Sequence, residues 1–309
     1  NQEMLLKKIR QSSEVFDKLA NSYEVWVPES GWLAGRRNRD KNDSKRKNLT
    51  DWSILSFLLE IDNCHYPMAD SYLQYGIDGV IRIAAETLET IKNNLQSELQ
   101  DQTQLDIVYL ESLLHVWKRF RQFVADHMVL ALECAKQETS DTKKKRYEKI
   151  AKICQNLTIN KPNTFCEALQ LFWFTYLFRS PFGAGCIGRL DQLLYPFYKH
   201  DCEMGIWDQQ EAEKMLEEMF TRMNEINTGD TLRNLMLSGQ DAKGNDQTNE
   251  ITYLILVAYE NTGGSEPHLN VRFHEKTPKK LRDNCINMLS SGSGQPTIYF
   301  DEAVLPAME

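Results

Sequence analysis

From Gly185 to Asp201 the chain reads GCIGRLDQLLYPFYKHD, a thiol set among small residues, then an Arg-Leu-Asp-Gln turn opening a helix that is apolar except at its charged end. A cysteine becomes a nucleophile when a neighbouring base takes its proton. His200 and His274 are the bases that Cys186 would need, and no spacing places either beside it. On composition alone Cys186 therefore reads as structural. Asp241 and Asp246 are paired carboxylates in GQDAKGND, where Asp, Asn and Gly are expected for backbone reasons. Glu250 is near, but its offset does not complete a calcium loop. No phosphate-cradling loop occurs, and GAGCIG follows an apolar helix where a dinucleotide fingerprint would follow a strand. Arg272 and His274 alternate onto one face of a strand. A ligand-facing pair and a strand-end arginine bound to a carboxylate both fit that placement.

Positioning these groups takes a large frame. The chain has 309 residues, 41% of them hydrophobic, enough for one large core or two ordinary domains. A formal net charge of -8 argues against a nucleic-acid partner, since a broad counterion-releasing surface is missing. The basic run GRRNRDKNDSKRKN, from Gly35 to Asn48, is interrupted by aspartates and reads as a solvated loop. Seven scattered cysteines with no CxxC pair fit buried thiols of a reducing cytoplasmic compartment better than a disulfide frame or a metal site. No segment approaches the ~18 uninterrupted apolar residues of a membrane helix. The opening NQEMLLKKIRQ and the closing AVLPAME both read as internal cuts.

The first half reads helical. Tyr109, Leu113, Val116, Phe120, Phe123, His127, Leu130 and Cys134 recur in steps of four and three, one packing stripe with His127 as a hydrogen-bonded core histidine. DTKKKRYEKIAKICQN is an amphipathic helix with a basic start. Thr164 and Glu167 form a capping box ahead of a helix that is apolar on nearly every side from Ala168 to Phe178 and must be central. Another capped helix starts at Asp208. The period then changes. RNLMLSG is a short apolar strand and ITYLILVAYEN a helix. In PHLNVRFH, Leu269, Val271 and Phe273 alternate with Asn270, Arg272 and His274. Thr277 at the cap, Pro278 in the first turn and Gly292 at the exit frame one more helix, and PTIYF is a third strand. Strand, helix, strand, helix, strand implies right-handed crossovers and a parallel sheet, with ligands beyond the carboxyl ends of its strands.

Five ordered blocks, PNTFCEALQLFWFTYLF, GRLDQLLYPFYKHD, LSGQDAKGNDQTNEITYLILVA, PHLNVRFHEKTP and SGSGQPTIYFDEAVLPA, resemble the pyruvate formate-lyase-like glycyl radical enzymes. The resemblance covers Leu114 to the chain end firmly and the first hundred residues loosely. It implies an α/β fold, with residues 1–160 as the mainly helical N-terminal part and 161–309 as the first half of a ten-stranded barrel. It also implies a glycyl radical, installed by a radical S-adenosylmethionine activating enzyme, that passes to a catalytic cysteine. The resulting thiyl cleaves a C-C, C-O or C-N bond of a small-molecule substrate, in a lyase, a dehydratase or a formate acetyltransferase-like transferase. The catalytic cysteine motif and the radical glycine loop are expected downstream of Glu309, so these residues alone are expected to be inactive. No cofactor or metal is expected to bind directly. The partners implied are the rest of the barrel, the activating enzyme and a possible second copy. An alternative is a non-catalytic scaffold or interaction domain from a truncated gene.

For the site, the resemblance makes Phe182, Ala184, Gly185 and Cys186 a pocket wall, where polyol dehydratases carry a GHSIS-like pattern that this chain lacks. Arg189 and Asp191 become the buried brace behind that wall. His65 resembles a pocket histidine, although its proline follows after one residue and not two. Arg272 is placed in the pocket. Phe300 stands where relatives show asparagine, which makes the lumen less polar.

Overall fold

The computed structural model describes residues 2–36, 69–94, 101–179, 186–225, 233–263 and 266–307. His65, Phe182, Ala184, Gly185 and nearly all of the basic run lie outside the described residues. The described residues fall into two compact units, one of 2–29, 34–36, 71–94 and 101–162, the other of 30–33, 69–70 and the rest from 163 onward.

The first unit is helical: α1 (Gln2–Ser22), α2 (Ala69–Asn93), α3 (Asp101–Gln137) and α4 (Asp141–Ile159). α3 packs against both α1 and α4. Phe120, Phe123 and His127 are buried as their spacing requires, but Tyr109 is 54% exposed. The buried face runs instead through Val108, Ser112, Phe120, Val124, His127, Ala131 and Ala135. A helix serving two neighbours has no single straight stripe, and Ser112, which donates to the Ile9 carbonyl at 2.9 Å, marks where α1 takes its side. α2 kinks at Gly76, whose φ of 71° favours glycine and where a Cβ would lie 2.6 Å from the Lys161 Cα. His127 is the expected core histidine. Its Nδ1 bonds the Phe123 carbonyl at 2.8 Å and its Nε2 accepts the Trp26 N–H at 3.3 Å, and burial lowers its pKa to about 4.

The second unit is built around α5 (Phe165–Arg179). Phe165, Leu169, Phe172, Trp173, Phe174 and Leu177 are all within 1% of complete burial, as an all-round apolar helix demands. Its capping box is present: Glu167 N–H donates to the Thr164 hydroxyl at 3.3 Å, and the Glu167 carboxylate accepts the Thr164 N–H at 3.2 Å. α6 (Leu190–Glu203) and α7 (Gln209–Glu225) follow, and Asp208 caps α7 by accepting the Glu211 N–H at 3.0 Å. Then come β1 (Asn234–Ser238), α8 (Glu250–Thr262), β2 (His268–Phe273), α9 (Lys279–Ser290), β3 (Thr297–Phe300) and α10 (Asp301–Val304). The strands form a parallel sheet in the order β1-β2-β3. This is a mostly helical α/β fold with a small parallel sheet.

The start of α9 also differs from the sequence reading. Pro278, not Thr277, is the N-cap of α9, and its carbonyl accepts the Leu281 N–H at 3.0 Å. The Thr277 hydroxyl turns back to accept the His274 N–H at 2.7 Å, so it secures the strand end and leaves the helix start to the proline.

Candidate functional site

Parallel register gives the sheet two unlike faces. Leu235 with Leu269, and Leu237 with Val271, are fully buried on one. Met236 with Asn270, and Ser238 with Arg272 and Tyr299, share the other. Asn270 on that second face donates to the His268 carbonyl at 3.0 Å.

At the carboxyl end of β1, Ser238 is fully buried and left-handed, with φ 59°. That conformation costs a non-glycine residue about 1–2 kcal/mol. Three bonds hold it. Its N–H donates to Asp191 Oδ2 at 2.8 Å, its carbonyl accepts from Arg189 at 2.6 Å, and its hydroxyl lies 2.7 Å from Thr248 Oγ1. Thr248 gives its own proton to Asp246 at 3.0 Å, so the Ser238 hydroxyl is the donor to Thr248. Asp246 also bonds His274 Nε2 at 2.8 Å, which makes Ser238, Thr248, Asp246 and His274 a continuous chain of hydrogen bonds.

Asp191 is the centre of this region. It is wholly buried in the first turn of α6 and also accepts the Thr252 hydroxyl at 2.8 Å and the Gln192 N–H at 2.9 Å. Burial pushes its carboxyl above the usual carboxylate range, against the opposing pull of these donors and of Arg189. Asn249 caps α8 with its side-chain oxygen on the Ile251 and Thr252 N–H groups, which aims Thr252 at Asp191. Two helix starts and one strand end thus meet on one carboxylate.

Beside it, Arg272 grips Asp301 through Nε at 2.6 Å and a second nitrogen at 2.9 Å. Asp301, 1% exposed, also accepts the Gln240 N–H at 2.9 Å. Gly239 makes room: its φ is 93°, and a Cβ there would lie 2.7 Å from Arg272 Nε.

Arg189 and Asp191 both bond Ser238, the first at its carbonyl and the second at its N–H. Cys186 is half-buried just before a stub that extends the sheet past β1, where Ile187 N–H donates to the Asn234 carbonyl at 2.8 Å and Gly188 pairs with Leu235. Cys186 therefore stands level with the amino end of β1, whereas Arg272 is in register with Ser238 at the carboxyl end. Phe300 is in register with Phe273, with ring centroids 6.2 Å apart, on the face opposite Arg272. Cys186, Arg272 and Phe300 are not brought to one point. Burial pushes the thiols of Cys154 and Cys285 up to about 12, which keeps them protonated, while Cys202 is exposed. Among the described residues no group of three or more His, Cys, Asp or Glu is arranged to hold a metal ion, and no helix is long and apolar enough to cross a membrane.

Sequence reasoning missed Ser238, Thr252 and Asp301, and took Asp246 for a turn residue only. The Asn249-to-Thr252 capping pattern, and an aspartate placed directly after an apolar strand, are the signals that could have found two of them.

The family model described as pyruvate formate lyase-like matches residues 63–309. The chain is 32% identical over 192 residues to trans-4-hydroxy-L-proline dehydratase of Clostridioides difficile, covering 57% of this chain and 24% of that protein. It is 30% identical over 204 residues to (2S)-3-sulfopropanediol dehydratase of Klebsiella oxytoca, covering 61% and 25%. Its fold matches a glycyl radical enzyme from Archaeoglobus fulgidus with a TM-score of 0.80 at 20% identity, over 97% of this chain and 48% of that one. The B12-independent glycerol dehydratase of Clostridium butyricum matches with a TM-score of 0.78 at 19% identity, over 98% and 47%. The matched regions span about a quarter of those curated relatives and about half of the solved structures. On this evidence the chain belongs to the pyruvate formate lyase-like family of glycyl radical enzymes.

Proposed function

We propose that this chain contributes the helical layer (1–160) and the first half-barrel (161–309) of a cytoplasmic glycyl radical enzyme. The enzyme is a lyase or dehydratase that opens a C-C, C-O or C-N bond of a small hydroxylated molecule. The observation that carries the reading is the family match over a parallel sheet with one face given to packing and the other to polar side chains. Two relatives named as dehydratases of hydroxylated substrates favour loss of water over acyl transfer. A thiyl radical supplied by the family's cysteine would abstract hydrogen from the substrate.

This chain's residues would orient the substrate and keep water away. In this reading His65, Phe182, Ala184, Gly185 and Cys186 form the wall against the substrate, and Arg272 and Phe300 stand nearer the strand ends. Arg189 and Asp191 keep the wall fixed relative to β1. A radical S-adenosylmethionine activating enzyme is the required partner, and a second copy a further one.

The test is electron paramagnetic resonance on the protein made from its complete reading frame, treated anaerobically with a competent activating enzyme and S-adenosylmethionine. An organic doublet is expected. Its absence, with the activating enzyme shown to be active on its own substrate, refutes the radical reading.

A further inference from the structure

Away from the strand ends, α6, α7, α8 and α9 enclose a groove of about 320 Å³ whose lining takes no residue from the sheet. That volume suits a ligand the size of a side chain. Three of its walls are aromatic: Tyr198 of α6, Trp207 between α6 and α7, and Tyr253 in the first turn of α8. Trp207 is fixed before any ligand arrives, since Tyr198 meets it edge to face at 4.7 Å and Phe165 does so at 5.3 Å. Glu213 and Glu250 add two carboxylates to the lining. Burial raises the Tyr253 phenol and pushes Tyr198 up to about 12, so both rings stay neutral and offer electron-rich faces at any physiological pH.

One cation is already there. The Lys280 ammonium lies 4.4 Å from the centre of the Tyr253 ring, at the end of an exposed side chain. The groove therefore accepts an aliphatic ammonium in at least one place, and Lys280 is free to swing out of it. Two carboxylates against one lysine leave the lining acidic, which complements a cation and opposes an anion.

We infer that this groove is a binding site for a small organic ammonium ion, with Lys280 as its intramolecular placeholder. The ligand's charge sits against the Tyr253 face and Glu250, and its alkyl part lies along Trp207. The site is separate from the radical chemistry proposed above and stands or falls without it.

The experiment uses n-butylammonium, the chemical equivalent of the lysine side chain. It is titrated into the whole chain against sodium chloride of equal ionic strength, while the Trp207 indole N–H resonance, assigned with Trp207→Phe, is followed. A saturable shift in the millimolar range is expected, as a partly exposed cation–π contact gives weak binding. Lys280→Ala vacates the ring and should tighten binding about fivefold, and Glu250→Gln should weaken it about threefold, both being exposed positions, with unchanged thermal unfolding showing that each variant is folded. A shift that stays linear, that sodium reproduces, or that either substitution leaves unaltered overturns the assignment.

Discussion

Asp191 accepts the Ser238 N–H at 2.8 Å across 47 residues of sequence, in a place where both residues are fully buried. The bond ties the start of α6 to the end of β1, and the same carboxylate takes the Thr252 hydroxyl from the start of α8. Removing it strands two donors where water does not reach. Asp191→Ala should lower the unfolding free energy by about 3 kcal/mol, the sum expected of orphaned buried partners. Urea unfolding measures it, and a loss no larger than that of an exposed substitution such as Lys279→Ala would refute the placement.

Ser238 adopts a φ of 59° that costs any L side chain. Comparing Ser238→Ala with Ser238→Gly isolates this strain, because both lose the hydroxyl bond to Thr248 and only alanine keeps a Cβ. The glycine variant should be the more stable by about 1 kcal/mol. Equal stabilities in parallel denaturation curves would mean that the residue is not left-handed in solution.

Gly239 and Arg272 make a paired prediction. Gly239→Ala adds a Cβ 2.7 Å from Arg272 Nε and forces a φ of 93° on alanine, so it should destabilise by more than 2 kcal/mol. Arg272→Ala opens that space but leaves Asp301 buried and unpaired, at about 3 kcal/mol. The double variant should be less damaged than the sum of the two, since the clash with the guanidinium is relieved and only that with the Cβ of position 272, at 2.9 Å, stays. Strict additivity in the cycle would show that the two residues do not touch.

His127 sets a pH dependence. Its folded-state pKa of about 4 lies below the ordinary 6.5, so the unfolded chain takes up the proton first as pH falls. Stability is complete above about pH 6.5 and declines toward pH 4. The size of the effect is about 3 kcal/mol. Denaturation midpoints of the parent and of His127→Gln between pH 7 and 4 check this: the variant should start lower and show a shallower decline, and parallel curves would contradict it.

Much of the frame could be read from local pattern. The capping box at Thr164, the all-round apolar α5 and the alternation of β2 each depend on neighbours within a few residues, and each stands where expected. The network at the strand ends could not be read in this way, because Arg189, Ser238, Thr252, Arg272 and Asp301 are scattered along the chain and meet only once the strands are paired. Thr277 shows the same limit at short range. A threonine before a proline fits a helix cap, yet its hydroxyl is taken by the strand behind it. Cys186 enters the pocket only through the family resemblance, its own surroundings reading as structural, and the parallel register is needed to see that it and Arg272 occupy different levels of the sheet.

Alternation along β2 has an evolutionary consequence. Leu269, Val271 and Phe273 are buried, so change there threatens folding, whereas Asn270 and Arg272 belong to the opposite face. Yet the second face is not free to drift: Arg272 is the partner of buried Asp301, so a lineage that changed one would have to change the other with it.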